Sequence, residues 1–190
     1  MTFDFGAARR IMVDSQVRTN DVTDLAIQAA MRSVPREAFC PEGKAYLAYA
    51  DAEVDYAPGR CLLRPRDIAK LLQAIRPAAG ERALAIAAPY AAAVLEAMGL
   101  TVARLEGADL KTPPAGPFDV ILCEGSVSAV PPAWLAALAP GGRLGAVVRD
   151  GPMGKAWVYG RTESEIGRRQ AFDAAPPILG GFEAEARFAF

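Results

Sequence analysis

The sequence predicts an α/β protein built on a largely parallel sheet, with helices on both faces and a helical segment at its N-terminus. Three observations carry this. Short apolar runs alternate with helical segments from about residue 83 to 148, the arrangement that builds parallel βαβ units. The 190 residues suffice for one substantial core, so a single domain over 1–190 is expected, with 1–76 as its helical and loop part and 77–190 as its sheet part. An apolar share of 52% against 23% charged residues describes a globular chain rather than a disordered one.

Taken in order, Phe3, Ala7, Ile11 and Val17 stand among arginines with the spacing of a surface-docked helix over 3–18. A second helix is expected over Val22–Ser33, with Asp21 or Thr23 as N-cap and Pro35 just beyond its end. Val34 to Phe39 reads as a turn with one buried aromatic, and residues 44–63 lack periodicity and read as extended or loop. Arg66–Ile75 has a helical pattern, with Pro65 suited to its first turn. Ala83–Ile86 is then a buried strand, Tyr90–Met98 a helix stopped by Gly99, and Thr101–Leu105 and Phe118–Cys123 are further strands. A short helix over Pro131–Leu138 should end at Pro140-Gly141-Gly142, followed by a strand at Arg143–Val148. Lys155–Thr162 and Arg168–Phe172 suit an antiparallel hairpin at one edge of the sheet.

Composition excludes whole classes of chemistry. The net charge of −1 gives no global field to recruit nucleic acid or an anionic membrane, so neither is an expected partner. The most apolar run, Ala83 to Leu95, is broken by Pro89 and is too short to span a bilayer, and the N-terminus lacks the pattern of a signal peptide. Cys40, Cys61 and Cys123 are odd in number and widely spaced, which fits reduced thiols in a cytoplasmic protein and no metal site. The chain has no histidine, which removes Ser-His-Asp and Cys-His catalysis and the commonest metal ligand together. Any chemistry rests on carboxylates, hydroxyls, thiols or a cofactor.

Several segments carry a specific resemblance. Val34-Pro35-Arg36-Glu37-Ala38-Phe39, Ala48-Tyr49-Ala50-Asp51, Pro58-Gly59 and Pro65 occur in the order found in the N-terminal part of protein-L-isoaspartate O-methyltransferases. Tyr90–Leu95, Phe118-Asp119-Val120-Ile121 and Leu138–Leu144 resemble that family's first helix after the sheet begins and its later strands. The resemblance covers roughly residues 10–150. It implies a Rossmann-like methyltransferase sheet, S-adenosylmethionine as methyl donor and an isoaspartyl carboxylate as acceptor.

Individual family motifs are altered here. Where the family places Gly-x-Gly-x-Gly after the first strand, this chain has Ala85-Ile86-Ala87-Ala88-Pro89-Tyr90, with no glycine and one missing N–H donor. Ala87 and Tyr90 are therefore the candidate cofactor contacts at that turn, with Glu106 as the candidate ribose ligand after the second strand. In the family's Gly-Gln-Thr-Ile-Ser-Gln-Pro segment, Cys61 stands at the threonine position and Leu63 at the serine position. Arg60 and Arg64 suit either a bound carboxylate or a solvated surface. Only eleven residues, Gly107 to Pro117, separate Glu106 from the next strand, too few for the family's helix and strand, so an edge strand should be missing. Glu124 is the candidate general base, at the strand ends where open sheets bind ligands; the alternative is a capping or ion-pairing role at that rim. Trp134 and Trp157 read as packing residues.

These departures predict a homologue of the family with reduced or lost methyl transfer and impaired S-adenosylmethionine binding, kept for a protein or peptide partner or another ligand. An active methyltransferase with an atypical cofactor loop, and a structural subunit of a homo-oligomer, are the alternatives.

Overall fold

A computed structural model describes residues 4–184; Phe3 lies outside the described residues. α1 spans Phe5–Met12, and its free N-terminal donors are met by Asp4, whose Oδ1 accepts from the Ala7 N–H at 2.9 Å. The chain then widens into a π turn over Val13–Val17 and tightens into a 3-10 turn over Arg18–Asn20. α2, Leu25–Ser33, starts later than its apolar spacing predicts. Its N-cap is Asp24, which accepts from Ala26 and Ile27 at 2.8 and 3.2 Å, rather than Asp21 or Thr23. Asp21 is in the left-handed region at φ 62, and Thr23 turns both its N–H and its hydroxyl to Gln73 Oε1, at 2.7 and 3.5 Å, which leaves the cap to Asp24 directly before the helix. Single 3-10 turns follow at Arg36–Phe39 and Ala45–Leu47. β1 (Val54–Ala57) and β2 (Arg60–Leu62) form a small antiparallel hairpin, and α3 covers Pro65–Ile75 with the proline at its start.

The main sheet comprises β3 (Arg82–Ile86), β4 (Thr101–Leu105), β5 (Phe118–Val127), β6 (Leu138–Asp150), β7 (Met153–Arg161) and β8 (Ile166–Asp173), in the order β4-β3-β5-β6-β7-β8. β4, β3, β5 and β6 are parallel, and β7 and β8 continue antiparallel as the edge hairpin. α4 (Pro89–Ala97) connects β3 to β4, and the short α5 (Pro132–Ala136) lies between β5 and β6.

Strand alternation divides the core into two layers. Ala83, Ala85, Val120 and Leu122 face the helical side, where they meet α2, α3 and α4. Leu84, Ile86, Ile121 and Cys123 face the other side, covered by Trp134 of α5, Leu110 of the 107–117 segment, and Leu179 and Phe182 near the C-terminus. Helices thus sit on both faces, but unequally.

The segment 107–117 contains neither helix nor strand, as its length predicts, so β4 is left as a sheet edge. Among the described residues no ladder joins this segment to β4. It turns away instead: Leu110 O accepts from Trp134 Nε1 at 2.8 Å, and Arg82 reaches the carbonyls of Ala115 and Pro117. Arg104, the charged side chain on the edge, holds both carboxylate oxygens of Glu96 at 2.8 Å.

The expected turn at Pro140-Gly141-Gly142 is absorbed into β6 as an irregularity, because Phe118 pairs with Leu138 while Val120 pairs with Arg143. Gly142 permits this, since a Cβ there would lie 2.8 Å from Ala139 O and 2.9 Å from Phe118 O. β5 also runs on past Cys123. Between Leu122 and Ser126 it takes four steps against two on β6, a bulge that lets the chain turn Glu124 inward. Gly125 adopts φ +120 within it, and a Cβ would meet Leu179 at 2.7 Å. Gly125→Ala is therefore expected to displace Leu179 and cost about 1–3 kcal/mol from backbone strain and overpacking. A thermal melt within experimental error of the unsubstituted protein would contradict that geometry.

Candidate functional site

In an open parallel sheet, ligands approach the carboxyl ends of the strands, where loops diverge. Here that rim is closed from above by the β1–β2 hairpin. Tyr56 Oη donates to Ala87 O at 2.9 Å, and the Arg60 guanidinium donates to the carbonyls of Glu106 and Gly107 at 2.5 Å each. The Gly180 N–H donates to Gly59 O at 3.1 Å, tying the hairpin to the C-terminal segment. Beneath it, Ala87, Ala88 and Tyr90 are all 0% exposed. Ala87 has φ 48, a left-handed conformation that glycine adopts without strain; the turn keeps a glycine-like backbone while its methyl fills the space. Two surface clefts, of about 740 and 760 Å³, lie elsewhere, against α3 and β8 and between the turns over 13–20 and α2.

Below the hairpin lies a buried polar cluster. Glu124 and Arg36 are both 0% exposed. Glu124 Oε1 accepts from the Leu63 N–H at 3.0 Å, while Arg36 Nη2 donates to the Leu63 carbonyl at 2.6 Å, so both groups grip the same residue. Arg36 Nε also donates to Ala48 O at 2.8 Å, and its guanidinium lies 4.8 Å from the centre of the Tyr90 ring. Among the described residues, Glu124 Oε2, Arg36 Nη1 and Tyr90 Oη have no hydrogen-bond partner. Nor do Glu124 and Arg36 form an ion pair within 4.0 Å among the described residues.

Burial pushes the Glu124 carboxyl up to about 7, against the opposing pull of Arg36 and of the Leu63 and Ala91 N–H groups. The Ala91 N–H belongs to the first turn of α4, whose free donors favour negative charge even without an aligned hydrogen bond to Oε2. The folded state holds this proton more tightly than the unfolded chain, so the contribution to stability is complete below about pH 4.5 and is lost as pH rises through about 7. Burial also raises Cys61 to about 12 and lifts Tyr56, Tyr90 and Cys123 further, so these groups are neutral in the physiological range.

The candidates read from the sequence are distributed unevenly over this geometry. Leu63 and Glu124 are brought together, with Leu63 at 0% exposure and both of its backbone polar groups engaged. Ala87 and Tyr90 share one turn but face the interior; Tyr90 packs edge-on against Phe39 at 5.8 Å. Glu106 is exposed outside the hairpin, and its carbonyl accepts from Arg60. The bulge in β5 draws Glu124 into the core, where its carboxyl meets the Leu63 N–H and the Ala91 N–H of the first turn of α4 rather than an open rim. Arg60 is spent on two carbonyls, and Arg64 pairs with Glu53 at 2.9 Å, so neither waits for a ligand. Arg36 and Tyr56 went unnoticed as site residues. Arg36 lies in a segment whose pattern gives a turn and a family resemblance but no sign of a buried charge, and Tyr56 in a stretch without periodicity. Among the described residues no cluster of side chains suits a metal ion, the three cysteines are free, and no helix is long and apolar enough to cross a membrane.

A protein-L-isoaspartate O-methyltransferase of Methylorubrum extorquens is 34% identical to this chain, over 94% of it and 91% of the relative. The chain belongs to the protein-L-isoaspartate O-methyltransferase family. The namesake from Methylorubrum populi is also 34% identical, over 94% of this chain and 98% of its own length. Among solved structures, a proposed protein-L-isoaspartate O-methyltransferase from Plasmodium falciparum, in complex with S-adenosyl-L-homocysteine, superposes with a TM-score of 0.74 at 16% identity, covering 90% of this chain and 97% of that one. Another protein-L-isoaspartate O-methyltransferase gives 0.71, also at 16% identity, over 94% of this chain and 66% of the other. These likenesses establish the Rossmann-like methyltransferase fold. No family model matches the sequence.

Proposed function

We propose that this isoaspartate-methyltransferase homologue has lost most or all methyl transfer and is retained in the cytoplasm to bind a protein or peptide. The observation that carries this reading is the full burial of Ala87, Ala88 and Tyr90 beneath the hairpin, at the rim where the family's cofactor would lie. S-adenosylmethionine requires close backbone approach at the turn after β3. Here the approach meets the Ala87 methyl, a proline without an N–H and the Tyr56 side chain, so the residues present do not fit the cofactor. Glu106 remains as a family-like carboxylate, but it stands outside the closed turn.

Among the described residues the outer edge of β4 is unpaired, and this supports a binding role, since such an edge suits an added strand from a peptide or from a second copy of the chain. The identity with curated methyltransferases favours a second reading, an active enzyme whose hairpin is displaced by the cofactor.

Calorimetric titration separates the two. The dissociation constant for S-adenosylmethionine is expected to be weaker than about 1 mM, corresponding to about −4 kcal/mol. Tritium transfer to an isoaspartyl peptide should match the blank without protein. A micromolar constant, or transfer above the blank that disappears in Glu106→Ala, would establish the active enzyme instead.

A further inference from the structure

The hairpin is fastened to the sheet mostly by hydrogen bonds between uncharged backbone or phenol groups and by Arg60, none of which changes charge near neutral pH. One fastening differs. The Leu63 N–H, immediately after β2, is held by a carboxyl that is wholly buried and has a second oxygen without a donor. We propose that Glu124 is a proton-operated latch for the β1–β2 hairpin: protonated, it keeps the hairpin shut on the sheet, and on losing its proton it favours an opened hairpin that admits water.

The surroundings of Glu124 leave few other responses to ionisation. Arg36 is the charged group that faces it, and two backbone carbonyls fix that guanidinium in place through Nε and Nη2. Tyr56 and Cys61 face it from the hairpin, Tyr90 from α4 and Cys123 from its own strand, and all four are neutral in this range. Arg36 Nη1, Tyr90 Oη and the Ala91 N–H surround the carboxyl, but among the described residues none is hydrogen-bonded to Oε2 in the closed arrangement, so the ionised oxygen gains a donor by a shift of these packed groups or by admitting water. The hairpin is the thinnest cover over it, with Asp55, Pro58 and Gly59 already exposed. An open state with a hydrated Glu124 has an ordinary glutamate affinity for protons, so closing takes up a proton and raising pH favours opening. The span between the ordinary value of 4.5 and about 7 sets a limit on the order of 10²-fold for the shift in the closed-to-open ratio.

This latch stands on hairpin packing alone, so it is tested without a methyl donor. Amide hydrogen exchange of residues 54–63 is measured at about pH 5.5 and about pH 8.5, corrected for intrinsic rates, in the unsubstituted chain and in Glu124→Gln. Glutamine keeps an acceptor for the Leu63 N–H and cannot ionise. Protection of the hairpin is expected to fall at least about tenfold with pH in the unsubstituted chain and to stay level in the variant, while residues 143–148 of β6 show no such difference. Equal protection at both pH values, or an equal fall in Glu124→Gln, would overturn the latch. A carbon-13 titration of the Glu124 carboxyl in the unsubstituted chain keeps the test valid should the variant fail to fold. A midpoint near 7 supports the latch, and one below about 5 sinks it.

Discussion

Arg36→Ala is expected to destabilise the fold by about 3–5 kcal/mol and lower the melting temperature by about 10 °C. The guanidinium is 0% exposed and donates to the carbonyls of Ala48 and Leu63 at 2.8 and 2.6 Å. Truncation leaves both carbonyls buried without donors and opens a void beside the Tyr90 ring. Arg36→Lys should recover less than half of the loss, because a single ammonium cannot span two carbonyls held by different branches of the fork. A second readout isolates the electrostatic part. The Arg36 guanidinium holds the Glu124 carboxyl down against burial, so its removal should move the Glu124 titration above about 7. A near-unchanged melt, or an unmoved titration, would show that the cluster is not coupled as described.

Trp134→Ala is expected to cost about 3–5 kcal/mol. Its ring is 0% exposed and packs 5.4 Å from that of Phe182, and its Nε1 donates to Leu110 O at 2.8 Å. That hydrogen bond is what orders the shortened 107–117 segment on the thin face of the sheet. Trp134→Phe retains most of the packing and should cost about 1 kcal/mol for the lost donor. Hydrogen exchange around Leu110 should rise in both variants, and more in the alanine. If chemical denaturation finds the two equally stable, packing against Phe182 contributes little and the assignment of this layer is wrong.

Strand positions were legible because a buried parallel strand needs a compact apolar run. Ala83–Ile86 and Thr101–Leu105 were read at or within a residue of their observed bounds for that reason. The missing edge strand was legible by length alone, since eleven residues cannot hold both a helix and a strand. The family was legible from Val34–Phe39 and Phe118–Ile121 because those motifs keep their order along the chain. The lost glycine loop was visible residue by residue.

The chain by itself determined the sheet, the family lineage and the absence of histidine chemistry, all of which follow from local pattern and composition. Only the tertiary structure decided where Glu124 goes. A bulge in β5 depends on pairing with β6, and no pattern within Cys123–Gly125 reveals that its carboxylate turns inward. The closure of the rim is likewise non-local. Tyr56 reaches Ala87 across 31 positions and Arg60 reaches Glu106 across 46. A hydrogen bond between distant segments leaves no periodicity in either one, so the hairpin's position over the sheet could be read only once both were in place.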